Sequence, residues 1–334
     1  MRIAAVPPLP FPWLPLMAFV ALEARAGNEP PRHVQYRPRA IEISKSASFV
    51  TPSGAIAVVV YNDMKEMLEA MVTLFVAAHP AIRFELDLRG TRFAPAALAA
   101  GTSAFAPMGG EFTPHQLEDY RAATGSDPIL FRVAHACLSP RALSGPLAIF
   151  VHRDNPQRSL TMAQAARAFG GESLRWGDLG AVGPWADRPI HAYGVKPETV
   201  LGIFARENVL EGRAFAKTFT GFPQSADVVE KISKDSSGIG FAAANRASTS
   251  VIALALAPRP ESQPVAPTAE NVAAGRYPLD RFLLIYARRP VTPLVREFLR
   301  LALSREGQEA VTASPQGYLP LSPAEAAIEL RKLE

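Results

Sequence analysis

The chain has 334 residues, of which 48% are hydrophobic and 20% are charged. This composition is typical of a soluble globular protein with roughly two domains. The formal net charge is +4, with arginine scattered along the chain. Basic blocks and stripes of alternating basic and aromatic residues do not occur, which argues against nucleic-acid binding. The mild positive charge fits attraction of small anions.

The N-terminus has the pattern of an export signal. Arg2 precedes an apolar stretch over residues 11–22, and Ala24 and Ala26 form a small-x-small cleavage site. We expect residues 1–26 to be a signal peptide that directs the protein to the periplasm. The alternative is a disordered or membrane-tethering N-terminus that is never cleaved. Later segments do not reach ~18 uninterrupted apolar residues, so the mature chain is expected to be soluble.

The next part of the chain predicts an alternation of strands and helices. Residues 27–54 are rich in Pro, Arg and Ser and predict a flexible leader. The elements predicted after it are a strand over 55–61, a helix over 63–78, a strand over 82–88, the turn RGTR, and an Ala-rich helix that ends at Gly101. This order favours a mainly parallel sheet with its ligand crevice at the carboxyl ends of the strands.

One strand-to-helix corner within this block carries two polar residues. In VVVYNDMKEMLEAM, β-branched residues give way to a helical apolar pattern at Asn62 and Asp63. The first N–H groups of a helix have no internal partner, so the corner suits an anion or a polar group. We expect Asn62 or Asp63 to cap this helix, since capping alone explains such a pair at most helix starts, and ligand contact is the alternative.

A second block repeats the alternation. It predicts a strand in LSGPLAIFVHRDNP, a helix in SLTMAQAARAFGG capped by Ser159 or Thr161, a strand in RPIHAYG, a helix in PETVLGIFARENVL, and a loop, helix and strand in FPQSADVVEKISKDSSGIGFAAA. The C-terminal part predicts the strands VIALALA and RFLLIYARR and one long amphipathic helix in TPLVREFLRLALSREGQEAV.

Motifs of metal, cofactor and nucleophile chemistry are missing from the sequence. The six histidines stand singly, and HExxH, CxxC, GxSxG, Walker and GxGxxG patterns do not occur. His135, His152 and the single Cys137 lie in apolar, strand-like runs, where structural roles are expected. One cysteine also precludes an intrachain disulfide. We therefore expect no cofactor, no metal and no enzyme, although an active site assembled only in space would escape this search.

Several segments, taken in order, resemble the periplasmic phosphate-binding proteins of ABC uptake systems. They are HPAIRFELDLRGTRFAPAALAAGTSAFAPMGGEF, LSGPLAIFVHRDNPQRSLTMAQAARAFGG, WGDLG, RPIHAYG, GIGFAAANR, AAGRYPLDRFLLIYARR and SREGQEAV with QGYLPL. The resemblance implies an α/β, two-lobed type II periplasmic-binding-protein fold, with mixed sheets, helices on both faces and a hinged cleft. Lobe one would comprise residues 55–143 plus 249–334, and lobe two residues 144–248.

The sequence departs from this family where the family binds phosphate. In relatives, an Arg followed by Ser-Gly-Thr contacts the anion, but the matching stretch here is YGVKPETVLGIF, with Val195 at the Arg position. A carboxylate that accepts the proton of hydrogen phosphate in some relatives falls near Ala106, which has no acceptor.

Other residues are therefore the candidates for ligand contact. They are Asn62 at the corner, Asp63 as a proton acceptor, Thr91 and Arg92 from lobe one, Ser144 at the crossover, Lys196 as a charge, and Thr199 and Ser225 as hydroxyl donors. Each also has a structural alternative: helix caps for Thr199 and Ser225, solvated charges for Lys196 and Arg92, and a carboxylate on the helix dipole for Asp63.

The resemblance implies a monomeric protein that captures phosphate or a similar small oxyanion for the membrane permease of an ABC transporter. Within the same fold, the alternatives are a different small polar solute or a sensory role. From other classes, the alternatives are a periplasmic hydrolase or transferase that uses the cleft, and an interaction scaffold whose cleft is occluded.

Overall fold

The structure is a computed structural model and describes residues 32–334. The predicted signal peptide and the first residues of the leader lie outside the described residues. The strands are β1 Ile56–Val59, β2 Phe84–Asp87, β3 Ala106–Met108, β4 Ile129–His135, β5 Leu147–His152, β6 Ser159–Thr161, β7 His191–Val195, β8 Thr220–Phe222, β9 Gly238–Ala243, β10 Val251–Ala253, β11 Ala255–Ala257 and β12 Phe282–Ala287.

Helices alternate with these strands. They are α1 Lys65–Ala78, α2 Ala94–Ala100, α3 Pro114–Thr124, α4 Met162–Gly170, α5 Val200–Val209, α6 Ser225–Ser233, α7 Ala269–Ala273, α8 Pro293–Ala302, α9 Arg305–Thr312 and α10 Pro323–Arg331. Among the described residues, no helix has the length and apolar character needed to cross a membrane.

The sheets are mixed, as the family resemblance implied. The largest has five strands in the order β10-β5-β9-β7-β8, in which β7 runs parallel to β8 and β9 while β5 runs antiparallel to β9 and β10. A second sheet, β3-β12-β4, is antiparallel throughout, and β1 pairs with β2 in parallel. The expectation of a mainly parallel sheet, taken from the alternating pattern alone, is wrong because β12 returns from the C-terminal part and inserts between β3 and β4.

Two large hydrophobic cores are built on these sheets. The first surrounds the five-stranded sheet and takes its buried residues from Leu147 to Leu279. The second surrounds α1, α8 and the sheets β1-β2 and β3-β12-β4, with residues 56–142 and 283–333, whereas the small sheet of β6 and β11 packs in the first core. The resemblance implied that residues 249–334 belong to lobe one, and these bounds stay a prediction. The buried residues between Val251 and Leu279 pack in the first core, and β10, at the start of this range, pairs with β5. The composition of this stretch gives no sign of that pairing.

The described part of the leader lies against the second core. Tyr36 packs on this core and donates its hydroxyl proton to the buried Glu297, 2.9 Å away. The same carboxylate accepts the backbone N–H of Arg39, and Phe49 accepts a backbone hydrogen bond from Ala57. The composition of the leader, rich in Pro and Arg, predicts flexibility. It does not indicate these few contacts with the second core.

The single long C-terminal helix in the prediction is wrong: α8 and α9 are separate. The helix is interrupted at Ser304, where the backbone is extended. The hydroxyl oxygen of Ser304 accepts the N–H of Gly307 and so caps α9. Likewise VIALALA is two strands, since Leu254 divides β10 from β11 and these pair in different sheets. Apolar periodicity continues across both breaks, so it did not reveal them.

A buried charged cluster joins the end of β4 to α10 and to the segment that precedes β12. The His135 ring is fully buried, with Nδ1 2.5 Å from Asp280 and Nε2 3.1 Å from Glu325. Burial opposes the charged imidazolium, but the two carboxylates outweigh it and raise the pKa of His135 to about 9. The same imidazolium, together with Ser322, lowers the pKa of Glu325 to about 2 against the cost of burial. His135 therefore has a structural role, as the sequence predicted.

We expect His135 to stabilise the fold only while it is protonated. Because its folded pKa of about 9 exceeds the ordinary histidine value of 6.5, its stabilisation is complete below about pH 6.5 and is lost as the pH rises through about 9. The loss is about 3 kcal/mol in the free energy of unfolding, measured by urea denaturation at several pH values.

His135→Gln is expected to unfold at lower urea and to lose this pH dependence. His115→Gln, at an exposed position on α3, is the matched control and should keep it. An undiminished alkaline slope in His135→Gln would show that another group is responsible.

Candidate functional site

A cleft of about 450 Å³ lies where the two cores meet. The carboxyl ends of β7, β8 and β9 border it from the first core, and those of β1 and β3 from the second. The side chains and backbone that line it come from Tyr61, Thr91, Arg92, Met108, Gly109, Gly110, Gln116, Leu143, Ser144, Val195, Thr199, Val200, Leu201, Pro223, Gln224, Ser225, Ala243 and Arg281. The crevice thus lies at strand ends, where the alternating pattern predicted it.

Two glycines allow the chain to approach the cleft closely on the side of the second core. A Cβ at Gly109 would lie 2.3 Å from the Tyr61 ring, and one at Gly110 would lie 2.7 Å from Val200 of the first core. Any side chain at either position would therefore force its neighbours apart. Thr91 and Arg92 occupy the loop between β2 and α2 on the same side, with Arg92 exposed.

The first core presents the N-termini of α5 and α6 to the cleft. Thr199 caps α5: its hydroxyl oxygen accepts the N–H of Gly202, and its proton goes to the carbonyl of Lys196, 2.7 Å away. Ser225 begins α6, and its hydroxyl oxygen accepts the N–H of Ala243. The Ser225 proton therefore stays available to the cleft, whereas that of Thr199 is already used. Both helix ends add positive potential.

The most buried charged residue in the described lining of the cleft is Arg281, which directly precedes β12. Its side chain is 6% exposed, yet only Nη2 has a partner within the described chain, the carbonyl of Gly109 at 3.1 Å, while Nε has none. The guanidinium lies 5.5 Å from the centre of the Phe204 ring on α5. Burial lowers the pKa of Arg281, but an arginine remains protonated. The cleft therefore contains a buried, incompletely bonded cation.

Asp63 lies next to the cleft, bonded to Leu143 of its lining, but is not itself among the lining residues. It is 8% exposed, and its Oδ2 accepts the backbone N–H of Leu143 at 2.7 Å and the hydroxyl proton of Tyr318. It forms no cap hydrogen bond, and neither does Asn62, which is exposed and does not line the cleft. The predicted cap at this corner is therefore wrong, because Asp63 instead links α1 to the crossover segment and to Tyr318.

Five of the eight candidate residues line the cleft and three do not. Those that line it are Thr91, Arg92, Ser144, Thr199 and Ser225. Ser144 Oγ lies 3.4 Å from the Tyr61 hydroxyl and donates to the Gly109 carbonyl. Lys196 is exposed and, like Asn62 and Asp63, is not among the lining residues. Ligand contact at all eight positions stays a prediction.

Sequence reasoning missed Arg281, Tyr61, Gln116 and Gln224 as lining residues. The sequence offers a weak signal for Arg281: two charged residues, Asp280 and Arg281, stand directly before an apolar strand in LDRFLLIYA. Two charged residues at the start of a strand indicate a polar environment there. They do not indicate which helix or strand packs against them. The approach of α5 to Arg281 is a long-range contact that periodicity cannot predict.

A larger groove of about 800 Å³ lies elsewhere, beside the leader. Of the described residues that line it, Lys45 is the one with a charge, and the rest are mostly apolar or small, such as Ile41, Ile43 and Val50. Within residues 32–334, groups of His, Cys, Asp or Glu arranged to hold a metal ion are not found. The cleft at Arg281 is thus where charge, hydroxyls and helix ends converge.

Comparison with known proteins places this architecture in a family. The family model described as a PBP superfamily domain matches residues 50–306. The phosphate-binding protein PstS of Pseudomonas aeruginosa is 31% identical over 288 residues, which cover 82% of this chain and 85% of the relative. The chain belongs to the PBP superfamily and, within it, to the family of PstS.

Solved structures agree on the fold. An ABC-type phosphate transport receptor from Vibrio cholerae has a TM-score of 0.55 and 17% identity, and covers 79% of this chain and 99% of its own. PstS from Borrelia burgdorferi has a TM-score of 0.52 and 18% identity, with coverage of 79% and 98%. The two-lobed periplasmic-binding-protein fold implied by the resemblance is therefore confirmed.

The contacts of Asp63 predict a structural role. Asp63→Ala leaves the N–H of Leu143 and the hydroxyl of the buried Tyr318 without an acceptor. We expect it to lower the free energy of unfolding by about 2–4 kcal/mol, measured by urea denaturation. Glu69→Ala, which removes an exposed carboxylate of α1 that pairs with Lys65, is the control and should stay within about 0.5 kcal/mol of the wild type. Equal effects of the two substitutions would contradict the structural role.

Proposed function

We propose that this protein captures phosphate, or a similar small oxyanion, in the cleft and delivers it to the membrane permease of an ABC transporter. The observation that carries the proposal is Arg281, a buried guanidinium with an unpartnered Nε in the lining of the cleft. A cation that is desolvated but not neutralised is costly for the apo protein. An oxyanion supplies both the missing charge and the missing acceptor.

Other groups fit the same ligand. Arg92 adds a second cation, Ser225 retains a hydroxyl proton, and α5 and α6 point their N-termini into the cleft.

A protein of this kind acts by binding and release and not by catalysis. The relative named as a phosphate-binding protein supports the ligand. We also propose that the protein works as a monomer in the periplasm, with residues 1–26 as its export signal, which the apolar stretch over 11–22 and the small-x-small site at Ala24 and Ala26 support.

The direct test is a titration of the full chain with sodium phosphate, followed by thermal unfolding and calorimetry. At ~100 times the dissociation constant, a ligand that binds only the folded state stabilises it by about 2.7 kcal/mol. We expect a shift of this size with phosphate. If phosphate leaves the transition unchanged and another small solute raises it, the family fold serves a different ligand here.

Arg281 gives the sharper test, because its two roles predict opposite effects. Arg281→Met keeps most of the side-chain volume and removes the charge, so phosphate affinity should fall at least about 100-fold. Because an incompletely paired buried cation is also removed, the apo protein should unfold at the same or a higher temperature.

The control for that test is Arg276→Met, which removes an exposed arginine that pairs with Glu270 outside the cleft. It should leave phosphate affinity unchanged. A variant Arg281→Met that loses stability but binds phosphate normally would show that Arg281 is purely structural and would refute this site.

A further inference from the structure

The charged side chains in the described lining of the cleft are arginines, and Glu111, the acid whose charge acts most on Arg281, lies outside that lining. Among the described residues that form it, Arg92 and Arg281 are the charged ones, and neither aspartate nor glutamate contributes. Asp63 is bonded to Leu143 and Tyr318, as described above. Glu111 is exposed and borders a separate cavity of about 330 Å³ between α3 and α5.

The remaining polar groups of the lining are neutral. They are the hydroxyls of Tyr61, Thr91, Ser144, Thr199 and Ser225 and the amides of Gln116 and Gln224. A hydroxyl rotates to donate or to accept, and an amide offers both kinds of atom. Groups of this kind accommodate an oxyanion oxygen whether or not it carries a proton.

A carboxylate would behave differently. It accepts a hydrogen bond from a protonated oxyanion, but it faces a fully ionised one with lone pairs and like charge, which costs several kcal/mol at a desolvated site. Discrimination between two similar ligands usually depends on such a repulsive group. Within the described lining, this cleft does not contain one.

We infer that the cleft recognises the divalent charge of a tetrahedral oxyanion and not its bound proton, so that it takes fully ionised sulfate as well as phosphate. The inference rests on the proposed function, because it concerns the same cleft and the same two arginines. It adds the ligand class: oxyanion dianions without selection for a protonated oxygen.

Calorimetry of the full chain with sodium sulfate and sodium phosphate, in one buffer near pH 8, tests it. We expect the two dissociation constants to agree within about tenfold, a difference of at most about 1.4 kcal/mol. If phosphate binds and sulfate does not, the inference is overturned while the proposed function stands. If neither binds, the proposed function fails and the inference fails with it.

The pH dependence of phosphate binding gives an independent measurement. Since the cleft responds to divalent charge, phosphate affinity should rise several-fold, up to about tenfold, between about pH 6 and about pH 8 as phosphate loses its second proton. Sulfate remains divalent over this range and therefore reports any pH effect of the protein itself. Equal pH dependence for both anions would overturn the inference.

A carboxylate can also be added. Gln116 lines the cleft, and its side-chain oxygen accepts the N–H of Thr113 at the cap of α3. Glu retains that capping contact, so Gln116→Glu should fold normally. We expect it to weaken sulfate binding at least about tenfold more than phosphate binding.

Gln35→Glu changes the net charge equally at an exposed position outside the cleft, and should leave the ratio of the two affinities unchanged. An identical loss for both anions in Gln116→Glu, with normal stability, would contradict the inferred basis of selectivity.

Discussion

The structure depends most on the constraint that Arg281 stays buried without a carboxylate partner. Among the described residues, Glu111 acts on the guanidinium through its charge without forming an ion pair with it, and two further acids near the site are bonded elsewhere. Asp280 accepts from the His135 ring and from the backbone N–H of Arg281, and Asp63 accepts from Leu143 and Tyr318. The hydrogen bonds that hold these acids are therefore part of the site, because they keep the guanidinium charge available to the cleft.

This arrangement connects the fold to the site. His135, at the end of β4, hydrogen-bonds to Asp280 through Nδ1. Its other ring nitrogen, Nε2, hydrogen-bonds to Glu325 of α10. The Phe204 ring brings α5 against the guanidinium, and the absence of a side chain at Gly110 lets the backbone come close to both Arg281 and Val200. A buried guanidinium without a carboxylate partner lowers the stability of the protein locally. The packing of the two cores around it offsets this loss, as is common at functional sites.

The sequence predicted more of the architecture than of the site. Strands and helices with a clear apolar period, such as β1 with α1 and β2 with α2, were found near their observed bounds, and the order of family-like segments indicated the superfamily. Strand order was harder, since β12 lies between β3 and β4 through pairing that periodicity does not report. Arg281 was missed because its role depends on burial and on an absent partner. Local sequence does not report either property, whereas local patterns do indicate the turn that contains Thr91 and the helix that begins at Ser225.

The two arginines of the cleft differ in solvent exposure, and this difference has a kinetic consequence. Arg92 is exposed and Arg281 is 6% exposed. The attraction of Arg92 for an anion acts through water and falls with ionic strength, because the screening distance is about 8 Å in physiological salt. Arg281 acts where water is largely excluded and is screened far less. Ionic strength should therefore slow the arrival of an anion at this cleft much more than it shortens the time that the anion stays.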